Sequence, residues 1–368
     1  MNSKQFFPSF LSFFQNSRTA PVLGRSNVEK QWKLEDFKCS GRFGCCCARD
    51  GRTPGGLLQE PLLRQVFRLR IFSGGAWLGV LLAAASAPGQ IYVANSANGT
   101  IGEYTLSGQT INVSFITGLS SPTGMAVSGG YLYVAQENGN IRKYTTSGTL
   151  VNAALVTGLY LPWGIAISGN DLFVANGGGE SSTIGEYTTS GAAVNASLVS
   201  GLGNPTGLAT DGNYLYVTCW HTGNVGIYTT SGTAINTFGA PGDYPGGVVL
   251  DGNGHLFVST LNQVGEYTTA GTPVNPSLIS GGYNSGIGIA LDGNGHLFWA
   301  DNYGGAGGNV IGEYTTDGQL INASFITGLH NPVSMVVVVP EPSSSVLVLF
   351  GLLGLMLKSS FRHFVPNQ

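Results

Sequence analysis

Between residues 91 and 339 the apolar and polar positions of the chain change in the same order six times. Each unit opens on a short β-branched or aromatic run: IYVAN (91–95), YLYVAQ (131–136), DLFVAN (171–176), YLYVTC (214–219), HLFVST (255–260) and HLFWAD (296–301). Runs of this length and composition, bounded by glycine and Asx residues, predict strands. A second run follows as IGEY, IRKY, IGEY, VGIY, VGEY and IGEY, ending at Tyr104, Tyr144, Tyr187, Tyr228, Tyr267 and Tyr314. The spacings are 40, 43, 41, 39 and 47 residues. A third, weaker strand is expected over segments such as INVSFITGL (111–119), VNASLVSGL (194–202) and INASFITGL (321–329). The fourth begins with Pro or Gly, as in SPTGMAVS (121–128) and NPVSMVVV (331–338). Sequences such as Asp211-Gly212-Asn213 and Asp251-Gly252-Asn253-Gly254 supply the chemistry of tight reverse turns between them.

Four strands per unit of about 40 residues is the pattern of a β-propeller blade, and six units predict six blades over 91–339. The fold expected is therefore all-β. The first unit lacks a Pro-led strand before it, and the last Pro-led strand has no partner after it. Pairing 331–339 with 91–95 would close the ring and remove both open edges. Gly124, Gly164, Gly207, Gly247 and Gly288 recur where the innermost strand would meet the crowded axis, which suits close backbone approach.

The succession Pro-x-Gly-Ile-Ala, a turn, Tyr-Val-Ala-Asx and Ile-x-x-Tyr resembles NHL-type repeats across about 249 residues. That resemblance implies a propeller, a scaffold used for protein, glycan or RNA binding and for enzymes alike.

Composition agrees with many turns and few helices: Gly makes up 57 of 368 residues, while only 10% are charged. The charge is unevenly spread. Residues 1–70 hold 12 Lys and Arg against 5 Asp and Glu, whereas 91–339 hold 2 against 13. With only Arg142 and Lys143 as cations, the acidic body would repel phosphate backbones, so nucleic acid is excluded as a partner.

The ends of the chain carry a different kind of information. Residues 68–87 run from Arg68 and Arg70 through an apolar stretch to Ala85-Ser86-Ala87, the pattern of a secretory signal peptide, here bounded at 66–87. Residues 1–65 then read as an upstream extension, disordered or not translated. They hold Cys39, Cys45, Cys46 and Cys47, whose spacing does not suit a tetrahedral metal site. Only Cys219 remains in the body, so no disulfide is expected there. At the other end Val339, Pro340, Glu341 and Pro342 precede three serines, an apolar run over 346–357, and the cations Lys358 and Arg362. This order resembles the PEP-CTERM sorting signal (340–363), which implies an exosortase-type processing enzyme, a short transmembrane helix and attachment at a bacterial cell surface.

Several positions bear on chemistry. Propeller lactonases of the gluconolactonase type place metal ligands on innermost strands before the glycine. Here those positions are Thr123, Trp163, Thr206, Gly246, Ile287 and Val333, with no carboxylate or carboxamide, so no metal or cofactor is expected. Asn95, Asn176 and Asp301 end strands on a neighbouring ring, but Gln136, Cys219 and Thr260 occupy the matching places. Cys219, Trp220 and His221 bring a thiol near an imidazole, but sequence neighbours on a strand point to opposite faces, so adjacency gives no dyad; Cys219 reads as half-buried and His221 as a loop residue. His255 and His296 read as hairpin residues, and the repeated YTTSG as turn residues rather than glycan contacts. The sequons at Asn112, Asn195 and Asn322 are discounted in a bacterial setting.

Loops after the second and fourth strands of each blade should share one face, where the repeats differ most. The ligand-face candidates are Glu137, Glu180, Trp220, His221, Tyr283, Tyr303 and His330, with Trp163 at the channel mouth or in the core. The reading is an exported, non-catalytic binding or structural propeller facing an extracellular polysaccharide or protein ligand. A secreted hydrolase or lyase of the lactonase or streptogramin-lyase type is the alternative.

Overall fold

The computed structural model describes residues 88–177, 182–281, 287–301 and 309–339. Every described residue belongs to the unit Leu78–Gln368. The expected upstream extension, signal peptide and sorting segment from Pro340 onward lie outside the described residues. Among those described, no helix is long and apolar enough to cross a membrane.

The described residues form six four-stranded antiparallel sheets. Strands are lettered A to D from the axis outward. Blade 1 takes β1 (Gln90–Asn95), β2 (Thr100–Thr105) and β3 (Thr110–Ile116) as its B, C and D strands. Blade 2 is β4 (Pro122–Ser128), β5 (Tyr131–Gln136), β6 (Asn140–Thr145) and β7 (Leu150–Val156). Blade 3 is β8 (Pro162–Ser168), β9 (Asp171–Asn176), β10 (Thr183–Thr188) and β11 (Ala193–Ser200). Blade 4 is β12 (Pro205–Thr210), β13 (Tyr214–Cys219), β14 (Asn224–Thr229) and β15 (Ala234–Gly239). Blade 5 is β16 (Val248–Leu250), β17 (His255–Ser259), β18 (Gln263–Thr268) and β19 (Pro273–Ser280). Blade 6 is β20 (Ile289–Leu291), β21 (His296–Asp301), β22 (Val310–Thr315) and β23 (Leu320–Ile326). The final strand, β24 (Pro332–Val338), pairs antiparallel with β1 from Gln90↔Val338 to Asn95↔Pro332 and is the A strand of blade 1. The ring closes as the repeat order requires.

The B strands are buried almost throughout, as in the pattern iBBBBB of β1. An antiparallel sheet with one wet face would alternate. Here both faces of each blade abut neighbouring blades, so the runs are continuously apolar. Tyr92, Tyr133, Phe173, Tyr216, Phe257 and Phe298 occupy one equivalent position and are at most 1% exposed. Each such burial stabilises by roughly 1.5–3 kcal/mol. The glycine of IGEY has a specific cause: a methyl on Gly102 would lie 2.6 Å from the Tyr104 hydroxyl, because the ring folds back over the strand.

The rim is locked from blade to blade. Phe115 on β3 packs against Gly148 in the C–D turn of blade 2, and Phe325 on β23 against Gly108 of blade 1. Tyr92 donates its hydroxyl to Thr146 O (2.7 Å) in the same turn. Lys143 reaches Thr189 O (3.2 Å) in blade 3. The YTTSG turns are thus contact points between blades as well as reversals of the chain.

Two expectations shift in detail. The D strands end earlier than the sequence pattern implies, at Ile116, Ser200 and Ile326, because Gly118, Gly201 and Gly328 take positive φ. Leu119, Leu202 and Leu329 then turn into the core. The A strands of blades 5 and 6 shrink to Val248–Leu250 and Ile289–Leu291.

Glu103, Glu186 and Glu313 share one position on the C strands. Desolvation by burial raises the carboxyl pKa of all three; nearby Asp171 adds to the shift at Glu186, and at Glu313 Asp292 adds to it while His296 opposes it. A carboxyl whose folded pKa is raised contributes stability fully below its unfolded value of about 4.3 and loses it as pH climbs through the folded value. The melting midpoint should therefore fall as the pH climbs above about 4.3, with the Glu103→Gln/Glu313→Gln variant showing a flatter profile. Calorimetry showing an equal decline in the double variant would assign the effect to general acidic repulsion instead.

Candidate functional site

The B–C and D–A loops share one face, and their construction begins with the last residue of each B strand. Asn95 Oδ1 accepts the backbone N–H of His330 (3.0 Å), Gln136 Oε1 that of Ser120 (2.8 Å), and Asn176 Oδ1 that of Tyr160 (2.7 Å). In blade 4 the Cys219 sulfur holds the matching place and takes a hydrogen bond from the backbone of Gly203. These carboxamides therefore act as latches rather than metal ligands, and each ties the loop that enters an A strand to the end of the neighbouring B strand.

Those entering loops share a second feature. Ser121, Leu161, Asn204, Tyr244 and Asn331 each precede a proline and each has φ between 46° and 59°. Left-handed backbone in a non-glycine residue costs about 1–2 kcal/mol. The latch and the following β pairing hold it in place, and the turn delivers the next side chain toward the axis.

At the axis the hydroxyls are spent between blades. Thr123 Oγ1 donates to Pro162 O (2.6 Å), Thr206 Oγ1 to Pro245 O (2.8 Å), Thr218 Oγ1 to Gly246 O (2.7 Å) and Ser259 Oγ to Ile287 O (2.8 Å). Ile287 and Val333 are buried in the apolar cluster against which Trp163, Trp220 and Leu261 pack. The Trp220 ring lies 5.2 Å from that of Tyr244, inclined at 40°. Tyr244 is 45% exposed, while Trp163 and Trp220 are partly covered. Among the described residues the mouth of the channel is therefore aromatic and apolar, rimmed by backbone.

Of the residues expected on this face, Trp220 and Trp163 join this aromatic group. His221 is exposed and its backbone N–H bonds Gly203 O (3.0 Å). His330 is exposed beside the Asn95 latch, and Glu137, partly covered, bonds Ser121 O (3.2 Å) through its backbone. Glu180, Tyr283 and Tyr303 lie outside the described residues. Tyr244 and Leu261 were not anticipated. The signal for Tyr244 was present, since it occupies the same pre-proline place as Leu161, whose next residue is Trp163's neighbour Pro162.

Cys219 is 3% exposed rather than half-buried. Burial pushes its thiol up, against the opposing hydrogen bonds from Gly203 and Thr222, while His221 faces solvent. Such a thiol stays protonated and is a poor nucleophile. At the opposite strand ends, His255 and His296 are hairpin residues that begin β17 and β21, the N–H of each bonding the carboxylate of Asp251 or Asp292 (3.0 Å in both) across the turn. His255 Nδ1 meets Glu266 at 2.5 Å, and His296 Nδ1 lies 3.0 Å from Asp292 and 3.7 Å from Glu313. In the second group both carboxylates converge on one ring nitrogen. Among the described residues no His, Cys, Asp or Glu group is arranged for metal ligation.

Comparisons with known proteins agree on the fold. Residues 122–141, the A and B strands of blade 2 and the start of its C strand, match the LVIVD repeat family. No curated protein sequence matches. A chain of a nidogen/laminin complex superposes with a TM-score of 0.56 at 15% identity, covering 68% of this chain and 98% of that one. A functionally unknown protein from Desulfotomaculum acetoxidans DSM 771 gives 0.51 at 16% identity, covering 69% and 86%. A proposed 6-phosphogluconolactonase from Bacteroides fragilis NCTC 9343 gives 0.50 at 14%, covering 70% and 99%. At these identities the likeness is one of fold, shared by binding proteins and enzymes.

Proposed function

We propose that this chain is an exported cell-surface propeller that binds an extracellular polysaccharide or protein ligand on its loop face without catalysing its conversion. The observation that carries the reading is the aromatic group Trp163, Trp220 and Tyr244 at the channel mouth. Around it, the hydroxyls and carboxamides that could act on a substrate are already bonded within the fold. Aromatic rings among polar groups suit stacking against sugar faces or peptide side chains.

A PEP-CTERM-type segment handled by an exosortase-type enzyme completes the proposal. β24 enters from the loop face and ends at Val338, opposite the start of β1 at Gln90, so both ends of the described body leave from the face away from the loops. A tail held at the membrane after Val339 would turn the aromatic face outward.

Two measurements test this. Trp220→Ala/Tyr244→Ala should weaken co-sedimentation with the extracellular polysaccharide of the source cells by about tenfold or more, the loss typical of central aromatic anchors. Unchanged binding would mean that this face is the wrong one. Intact mass of the surface-extracted protein should lack the apolar segment after Pro342; a C-terminus at Gln368 would overturn processing.

A further inference from the structure

The outer strands present an unusual rim. The sequences TINVSFI, LVNAALV, AVNASLVS, AINTFG, PVNPSLIS and LINASFI contain no charged residue. Val113, Val194 and Leu320 on them are 58%, 56% and 58% exposed. Edge strands of this kind invite pairing with another chain, and charge, proline or bulges usually prevent it. Among these six strands proline is present on β19 alone, at Pro273 and Pro276.

Each of these strands carries one asparagine, and in five of the six its side-chain oxygen accepts the N–H two residues on. Asn112 Oδ1 accepts the N–H of Ser114 (3.0 Å), Asn152 that of Ala154 (2.9 Å), Asn195 that of Ser197 (3.2 Å), Asn275 that of Ser277 (3.3 Å) and Asn322 that of Ser324 (3.0 Å). On β15, Asn236 Oδ1 takes the N–H of Thr237 (2.8 Å). Beside five of the six, the ladder is interrupted: Glu103 pairs with Asn112 but Ile101 with Ile116, so three outer residues oppose one. The same break follows Asn152, Asn195, Asn275 and Asn322.

We propose that these six asparagines keep the rim closed to strand addition by a second copy of this chain. The second copy is the relevant occupant because every copy presents the same uncharged Val/Ile-Asn edge six times, and no charge on those strands opposes pairing with its own image. The side-chain acceptor occupies an N–H that an incoming strand would need, and the bulge bends the edge away from a straight partner. A glycosylation role does not account for the repeat. Asn152-Ala-Ala and Asn275-Pro-Ser are not acceptor sequences, yet their asparagines make the same bond.

The test compares the full chain with its Asn112→Val/Asn195→Val/Asn322→Val variant by sedimentation velocity from about 1 to about 100 µM, the range in which exposed edges associate. The wild-type sedimentation coefficient should stay constant while that of the variant rises with concentration. Hydrogen exchange should show the amides of Ser114, Ser197 and Ser324 protected in the wild type and exchanging about tenfold or more faster in the variant. A variant that sediments like the wild type, or wild-type amides that exchange freely, overturns the proposal. Should the triple variant lose its cooperative melt, Asn152→Val alone is read by the same two measurements, at Ala154.

Discussion

Deletion of Asn331–Val339 should abolish cooperative unfolding of the propeller. Among the described residues β24 is the partner of β1 on its axial side, and the two pair over the full length of β1. Met335 packs with Ile91, Val93 and Phe298, so it joins blade 1 to blade 6. Val333 lies in the cluster at the channel mouth. Losing these two buried side chains alone removes roughly 3–6 kcal/mol. The deletion also leaves the N–H and C=O groups on the axial edge of β1 without partners and separates the first blade from the last. That loss is comparable with the roughly 5–15 kcal/mol by which whole domains are stable. Calorimetry or urea unfolding should show a broad, low-enthalpy transition. A truncated protein that melts as sharply and at the same temperature would show that β24 is an accessory strand.

The second large effect is expected at Gly124. A methyl there would lie 1.7 Å from the carbonyl oxygen of Trp163 on the adjacent A strand. That backbone cannot retreat easily, because Thr123 Oγ1 holds Pro162 O at 2.6 Å one step away. Gly124→Ala should destabilise by about 3 kcal/mol or more, lowering the midpoint by about 6–12 °C for a body of this size. Gly288→Ala provides the graded comparison, since its methyl would sit 3.1 Å from Val333 O, and a loss nearer about 1 kcal/mol is expected. Blade 1 carries Ser334 at the equivalent place and tolerates a β-carbon natively. Equal, small losses at both glycines would mean that the A strands slide apart at little cost.

The channel mouth sets the terms for these effects and for binding alike. The loop that carries Trp163 is positioned by the Asn176 latch on Tyr160 and by the left-handed turn at Leu161, and Tyr244 itself takes the left-handed turn that starts its A strand. A substitution that loosens Asn176 should thus weaken ligand binding without touching an aromatic ring.

Blade number, strand order and ring closure were legible in the chain because they rest on local signals. Alternating β-rich runs, the glycine of IGEY beside its tyrosine, and Asx-Gly turns all act within a few residues. A Pro-led strand left over at the end, with none at the start, was enough to imply the β24–β1 pair. The inner glycines were also readable, although the 1.7 Å approach behind Gly124 was not. What only the tertiary structure decided concerns contacts between distant segments. Asn95 could be read as a ring ligand until its partner proved to be the backbone of His330, 235 residues away. The YTTSG turns looked like surface until Phe115 and Phe325 were seen packed against neighbouring turn glycines. Trp163 stayed open between core and ligand face, and although the pre-proline place of Tyr244 was readable its contact with Trp220 was not, because exposure at the channel mouth depends on how six blades converge. Strand formation is encoded over a few residues, whereas the site is made of loop ends that meet only when the ring closes.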